Sequence, residues 1–278
     1  MSLSDCTSEF VRAMSDAGLA MTRPCIVADG VLHRFAVEGD RSGRCNGWYV
    51  LHLDENPFGA FGSWRTGQSE TWTHAAPGNM SQEERRVRAL RIASMKAARD
   101  AEQARVRENA RARAFKLWDR ARPARNDHPY LTKKRVPAFG IRELNGQLVI
   151  PMRDSGGTLH SLQFIGPEGQ KTFLTGGLKR GCYFAIGRPE KTICICEGYA
   201  TAASVFQATN HATACAFDAG NLEPVARGLR CKFPEARITI CADDDAGTKG
   251  NPGISHAEAA ARAVQGYLAI PFFAEMAR

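Results

Sequence analysis

Two stretches decide the fold: Thr192-Ile193-Cys194-Ile195-Cys196-Glu197-Gly198-Tyr199-Ala200-Thr201-Ala202 and Arg237-Ile238-Thr239-Ile240-Cys241-Ala242-Asp243-Asp244-Asp245. Each begins as a short unbroken apolar run and ends in carboxylate. Apolar runs of this length read as strands buried on both faces, as in a parallel sheet beneath helices. Acidic side chains where such strands stop lie at the carboxyl edge of the sheet, where open α/β sheets place their ligands. Glu197, Asp243 and Asp245 are therefore expected to converge on one divalent cation. Asp243 and Asp245 are two residues apart and point the same way, whereas Asp244 points elsewhere. The competing reading is that Asp243–Asp245 only caps the turn into Ala246-Gly247.

Outward from these runs, strand and helix patterns alternate. Strand Thr192–Cys196 leads through the Gly198 turn into a helix over Tyr199–Thr209. Strand Ala212–Phe217 precedes a helix over Leu222–Cys231, with Asn221 as its expected N-cap. Strand Arg237–Ala242, a helix over Ser255–Val264 and a last strand at Tyr267–Ile270 complete the series. Four strands joined by three crossover helices imply a four-stranded parallel sheet with flanking helices.

Upstream, Leu148–Met152 and Leu159–Ile165 read as a hairpin about the turn Asp154-Ser155-Gly156-Gly157, with Gln170–Leu174 as a third strand. Thr175–Gly181 then carries three glycines beside Lys179, a composition that lets backbone N–H groups approach phosphate but is equally at home in a hairpin turn. Ser81 to Ala121 contains neither Gly nor Pro and predicts a long helix, with Ser81 and Glu84 as a capping box. Between Ser81 and Arg125 there are 14 Lys/Arg against 6 Asp/Glu, and the remainder has 23 of each, so the net charge of +8 belongs to this segment. The helix is either a solvated connector or a basic rod along a phosphate backbone. Before it, strand patterns at Val31–Val37, Trp48–Leu53 and Gly59–Trp64 follow a short amphipathic helix and describe an antiparallel module. Its His33, Trp48, Tyr49, Trp64 and Trp72, interleaved with Arg34 and Arg65, form either a small core or a stacking surface for single-stranded nucleic acid.

The resulting α/β architecture divides as 1–78, a small mostly-β module; 79–125, the basic connector helix; 126–188, an α+β basic subdomain; and 189–278, the C-terminal sheet domain. The nine cysteines include no C-x-x-C pair, which argues against zinc and suits a reducing cytoplasmic setting. No apolar run approaches the roughly 20 residues of a membrane span, so no membrane partner is expected.

A strand ending in Glu-Gly followed by one ending in Asp-x-Asp resembles the Toprim domain of bacterial-type primases, topoisomerases and some nucleases. Cys196-Glu197-Gly198-Tyr199-Ala200-Thr201-Ala202 is similar to primases of plasmids and satellite phages, as are Ala216–Leu222, His128-Pro129-Tyr130-Leu131 and Gln170–Leu174. The resemblance implies a DNA primase that makes short RNA primers on single-stranded DNA from NTPs, with Mg²⁺ or Mn²⁺, in the replication of a mobile genetic element alongside a separate replicative helicase. It implies Glu197 as catalytic acid/base or metal organiser and Asp243 and Asp245 as metal ligands. Lys171 and Lys179 would contact nucleotide or template phosphate, with Asp218 and Asn221 on the same edge. The sequence departs from that pattern in having no N-terminal Cys/His zinc module, no G-x-x-x-x-G-K-[ST], and only Glu275 as an acid after the last strand. A Toprim nuclease and a catalytically inactive single-strand-binding adaptor are the alternative functions.

Overall fold

The computed structural model describes residues 3–40, 45–53, 57–74, 82–243 and 251–271. The chain divides into two units, residues 1–104 and 105–278.

In the first unit, α1 (Leu3–Asp16) places Cys6, Phe10 and Met14 at four-residue spacing, and all three are buried. They pack on an antiparallel sheet of β1 (His33–Phe35), β2 (Gly47–His52), β3 (Phe58–Ser63) and β4 (Ser69–Thr73), in that order. Alternation along β2 sends Tyr49 and Leu51 towards α1 with Phe35 and Phe61. Trp48 and Val50 face the other way and meet Met95. The Phe10 ring stands edge-on to Tyr49, Phe61 and Trp72 at 5.4 to 6.1 Å. These aromatics are core, because a four-stranded sheet this small has nothing else with which to bury both faces. Strand β4, the polar segment SETWT, gave no apolar alternation from which it could be foreseen.

A single helix, α2 (Gln82–Arg120), begins in the first unit and ends in the second. Ser81, the expected cap, lies outside the described residues. Near its C-terminal end, Ala114 packs with Val149, Leu159, Leu162 and Leu174, and Ala110 is also buried. The Arg142 guanidinium donates to the Trp118 carbonyl at 2.7 Å and lies 4.4 Å from the Trp118 ring. This end of the helix is therefore part of a core, which the small size of its alanines permits.

The second unit holds two sheets. The first is antiparallel, in the order β5 (Arg122–Pro123), β6 (Arg142–Leu144), β7 (Gln147–Arg153), β8 (Leu159–Ile165) and β9 (Lys171–Phe173), with α3 (Pro129–Lys134) between β5 and β6. The second comprises β10 (Phe184–Ile186), β11 (Thr192–Cys196), β12 (Ala212–Cys215), β13 (Arg237–Cys241) and β14 (Tyr267–Ala269), in the order β10-β12-β11-β13-β14. Helices α4 (Tyr199–Thr209), α5 (Leu222–Lys232) and α6 (Pro252–Ala263) make the crossovers. Strands β12, β11, β13 and β14 are parallel, and β10 adds an antiparallel edge. Ile193 and Ile195 of β11 face α5 and α6, whereas Cys196 faces the opposite side. There it joins Tyr199, Ala202, Leu148, Ile150 and Met152 in one core shared by both sheets.

The glycine-rich turn after β9 has a packing explanation. Gly176 and Gly181 have φ of +83° and +76°, a backbone region that favours glycine, and a Cβ at Gly176 would lie 2.9 Å from the Val106 side chain. A Cβ at Gly177 would collide with the Ser161 hydroxyl, which is buried in β8. Gly177→Ala should therefore destabilise the protein by about 1–3 kcal/mol in equilibrium urea unfolding, because an overpacked site must shift backbone to relieve the clash. Gly198→Ala, whose new Cβ would have nothing closer than 3.6 Å, should cost no more than about 1 kcal/mol, the difference between Gly and Ala at a helix N-cap.

Candidate active site

Strands β11 and β13 are hydrogen-bonded neighbours in parallel register, and Cys196↔Cys241 is their final pair. Glu197 follows the first strand directly and Asp243 stands two residues beyond the second, both half-buried at the carboxyl edge. Such runs stop there because the next residue is charged, and a carboxylate is not buried between sheet and helix without a partner. Gly198 then caps α4 in an extended conformation. From the first turn of α4, Thr201 Oγ1 donates to Asp243 Oδ1 at 3.3 Å. The first helix of the crossover thus orients the carboxylate at the end of the neighbouring strand.

The other sheet contributes a cation. Lys171 opens β9, and its Nζ lies 3.6 Å from where a Gly198 Cβ would be. The positive end of the α4 dipole and Lys171 thus meet beside the two carboxylates. The buried thiol of Cys215, at the end of β12, registers all three charges. Its pKa is pushed up to about 12, first by burial, against an opposing hydrogen bond from Phe217 N–H; Lys171 pulls it down while Glu197 and Asp243 push it up. Its Sγ donates to the Glu197 carbonyl at 3.5 Å. Under the same strand ends the contact with Cys241 and then burial push the Cys194 thiol up. At Cys241 the contact with Cys194 pulls down, and the contact with Cys196 and burial outweigh it, pushing that thiol up to about 12. A thiol held protonated is a poor metal ligand.

Two carboxylates on adjacent strand ends repel unless compensated. Their hard oxygens, with the Thr201 hydroxyl beside them, fit Mg²⁺ or Mn²⁺ far better than a soft ion. Among the described residues no group of three or more His, Cys, Asp or Glu side chains is arranged to hold a metal. Asp245, the third expected ligand, and Asp244 lie outside the described residues.

The remaining expected residues separate into two kinds. Lys179 and Asp218 form an ion pair with each other, both partly exposed, and Lys179 Nζ lies 5.3 Å from the Phe173 ring centroid. Asp218 follows β12 at the same edge as Glu197. Asn221, by contrast, is 2% exposed and every polar atom of its side chain is engaged. Its Nδ2 donates to the carbonyls of Cys182 (2.9 Å) and Ala216 (2.8 Å), and its Oδ1 accepts from Gly181 N–H at 2.7 Å. It occupies the N-cap position of α5 but makes no side-chain cap. The expected cap is thus replaced by a tie between the glycine-rich turn and the end of β12, since three backbone groups buried there have a stronger claim on the amide. Tyr199 is also fully buried; its hydroxyl donates to Pro137 O at 2.9 Å and accepts from Phe139 N–H at 2.8 Å. No nucleophile is available from it. Thr201 was not singled out from sequence, although its place one turn after Gly198 on α4 was a usable signal.

Residues 192–271, which hold strands β11 to β14 and the helices between them, match the family model of the Toprim domain. The chain as a whole is similar to two proteins of Escherichia coli, each called DNA primase TraC, at 37% and 36% identity over 96% of its length. It spans only 19% and 26% of the length of those two relatives. Among solved structures, the primase fragment of the bacteriophage T7 primase-helicase aligns over 56% of this chain and 68% of its own, at 15% identity and a TM-score of 0.43. The DnaG primase catalytic domain bound to ssDNA aligns over 63% of this chain and 74% of its own, at 12% identity and a TM-score of 0.42.

Asn221→Ala leaves two buried carbonyls and one N–H without partners, and should lower stability by about 2–3 kcal/mol in chemical denaturation. An unchanged midpoint would show that water replaces the amide.

Proposed function

We propose that this chain carries the primer-synthesising part of a DNA primase, joining ribonucleotides on a single-stranded DNA template. The observation that carries the reading is the meeting of Glu197 and Asp243 at neighbouring strand ends with Lys171 brought in from the second sheet. The similarity to the two TraC primases over 96% of the chain supports it. Nucleotidyl transfer chiefly requires charge neutralisation and in-line positioning. In this reading Glu197, Asp243 and Asp245 hold Mg²⁺ or Mn²⁺, which supplies the neutralising charge at the phosphates. Glu197 also takes up or organises the proton of the attacking 3′-hydroxyl. Thr201 fixes the rotamer of Asp243, and Lys171 binds a phosphate oxygen of nucleotide or template. Lys179 and Asp218 stand beside the site as an ion pair, while Asn221 holds the glycine-rich turn that carries Lys179 in place. The functional division proposed is an N-terminal module to about residue 78, the basic helix to 125, a basic subdomain to 188 and the Toprim part beyond. A separate replicative helicase as partner, and a setting in the replication of a mobile element, belong to the same proposal. Among the described residues no helix is long and apolar enough to cross a membrane.

Incubated with single-stranded template, labelled NTPs and Mg²⁺, the purified protein should yield short RNA. Asp243→Ala should abolish this synthesis and leave template binding within about twofold, since the phosphate contacts lie elsewhere. Degradation of the template in place of RNA synthesis would assign the site to a nuclease.

The exposed Arg113, Lys116 and Arg120, at i, i+3 and i+7 on one face of α2, offer a track for the template backbone. Changing all three to Gln should reduce the slope of log affinity against log salt by about 2, from roughly 0.7 per single-strand phosphate contact. An unchanged slope would leave the helix as a connector.

A further inference from the structure

The first unit contains a cleft of about 160 Å³ that the proposed active site does not use, lined by Trp48, Ser63, Trp64, Gln68, Arg99 and Gln103 among others. It holds the volume of about five waters at roughly 30 Å³ each and is smaller than the roughly 300 Å³ of a drug-sized site. Its occupant is therefore a fragment of the size of one ring system. Its floor is Trp48, only 3% exposed, against which Trp64 leans at 5.7 Å between ring centroids. Trp64 is half-buried, and among the described residues its indole N–H has no acceptor.

The polar lining is selective. Arg99 lies 5.6 Å from the Trp48 ring and donates Nε and Nη2 to Asp100, so its charge is already balanced. Gln68 spends its Nε2 on the Ala17 carbonyl and the Glu70 carboxylate, which leaves its Oε1 as an acceptor. Ser63, 3% exposed, accepts from the backbone N–H groups of Arg65 and Thr66 but donates to nothing. The Gln103 amide has no partner among the described residues. What remains on offer is an indole face, a hydroxyl and indole donor, the Gln68 carbonyl as an acceptor, and the Gln103 amide, which can accept or donate. A neutral planar heterocycle with donors and acceptors around its edge matches that set; an anion, with Arg99 already paired, does not.

We propose that this cleft receives a single unstacked nucleobase of single-stranded nucleic acid, stacked on Trp64 and hydrogen-bonded at its edge by Gln68 and Gln103. Lys96, Arg99 and Gln103 are three and four residues apart and share one face of α2. The exposed Lys96, one turn before Arg99 on that face, would then meet the phosphate of the bound nucleotide. The choice of nucleic acid over another heterocycle rests on the function proposed above, but the cleft and its chemistry do not.

The test is equilibrium binding of the full chain to a fluorescein-labelled oligothymidylate of about a dozen nucleotides, within single-strand site sizes. EDTA is present and NTPs are absent, so primer synthesis plays no part. Trp64→Ala should weaken binding about 5- to 150-fold, the range for loss of one base–aromatic stack, and Trp64→Phe should restore most of it. Equal binding by Trp64→Ala and the native protein overturns the proposal, as does equal weakening by the Phe variant. If Trp64→Ala loses its native circular dichroism, Gln103→Ala decides, because it leaves the aromatic floor intact. It should weaken binding about 2- to 10-fold, for one neutral hydrogen bond, and no change would overturn the assignment. Displacement of the labelled oligonucleotide by added UTP as effectively as by unlabelled oligonucleotide would assign the cleft to a free nucleotide and overturn the strand reading.

Discussion

Everything in the C-terminal unit depends on two buried strands lying side by side in parallel. Thr192–Cys196 and Arg237–Cys241 pair residue for residue, so the carboxylates that end them are brought to one edge without help from any loop. That arrangement is electrostatically costly, because like charges at neighbouring strand ends favour protonation or unfolding. The fold answers with positive potential from two directions: the N-terminus of α4, and Lys171 from the antiparallel sheet. A divalent cation and the phosphates it attracts would complete the compensation.

The two sheets of this unit are joined by a core, and the join has chemical consequences. Cys196, Cys215 and Tyr199 on one side pack with Leu148, Ile150 and Met152 on the other. Burying aliphatic side chains of this size stabilises by about 1.5–3 kcal/mol each, enough to hold the position of Lys171 relative to Gly198. Tyr199 and Asn221 add polar ties across the same junction, Tyr199 to the 137–139 loop and Asn221 to the glycine-rich turn. Asn221, expected at the edge of the site, thus also ties the backbone around it together.

Much of this was legible because strand and helix periodicities in 192–270 are unmixed. Isoleucine and cysteine alternate within short runs bounded by charge, and the helices between them are rich in alanine. The strand bounds agree with the pairing to within one or two residues. The antiparallel edge β10 was not foreseen, since three residues carry too little pattern to be told from a turn. Neither was β4, whose polar sequence is a strand only because β3 offers it an edge.

The sequence by itself determined the parallel sheet, the acidic strand ends and the basic helix, because each is a property of contiguous residues and their spacing. Only the tertiary structure decided what the single polar residues do. Lys171 reaches Gly198 across two sheets, Asn221 turns from helix cap to buried tie, and Lys179 pairs with Asp218. Of the N-terminal tryptophans, one became floor and its neighbour the wall of a cleft. Those outcomes hinge on which side chains from distant elements compete for the same buried groups, and spacing along the chain carries no record of that competition.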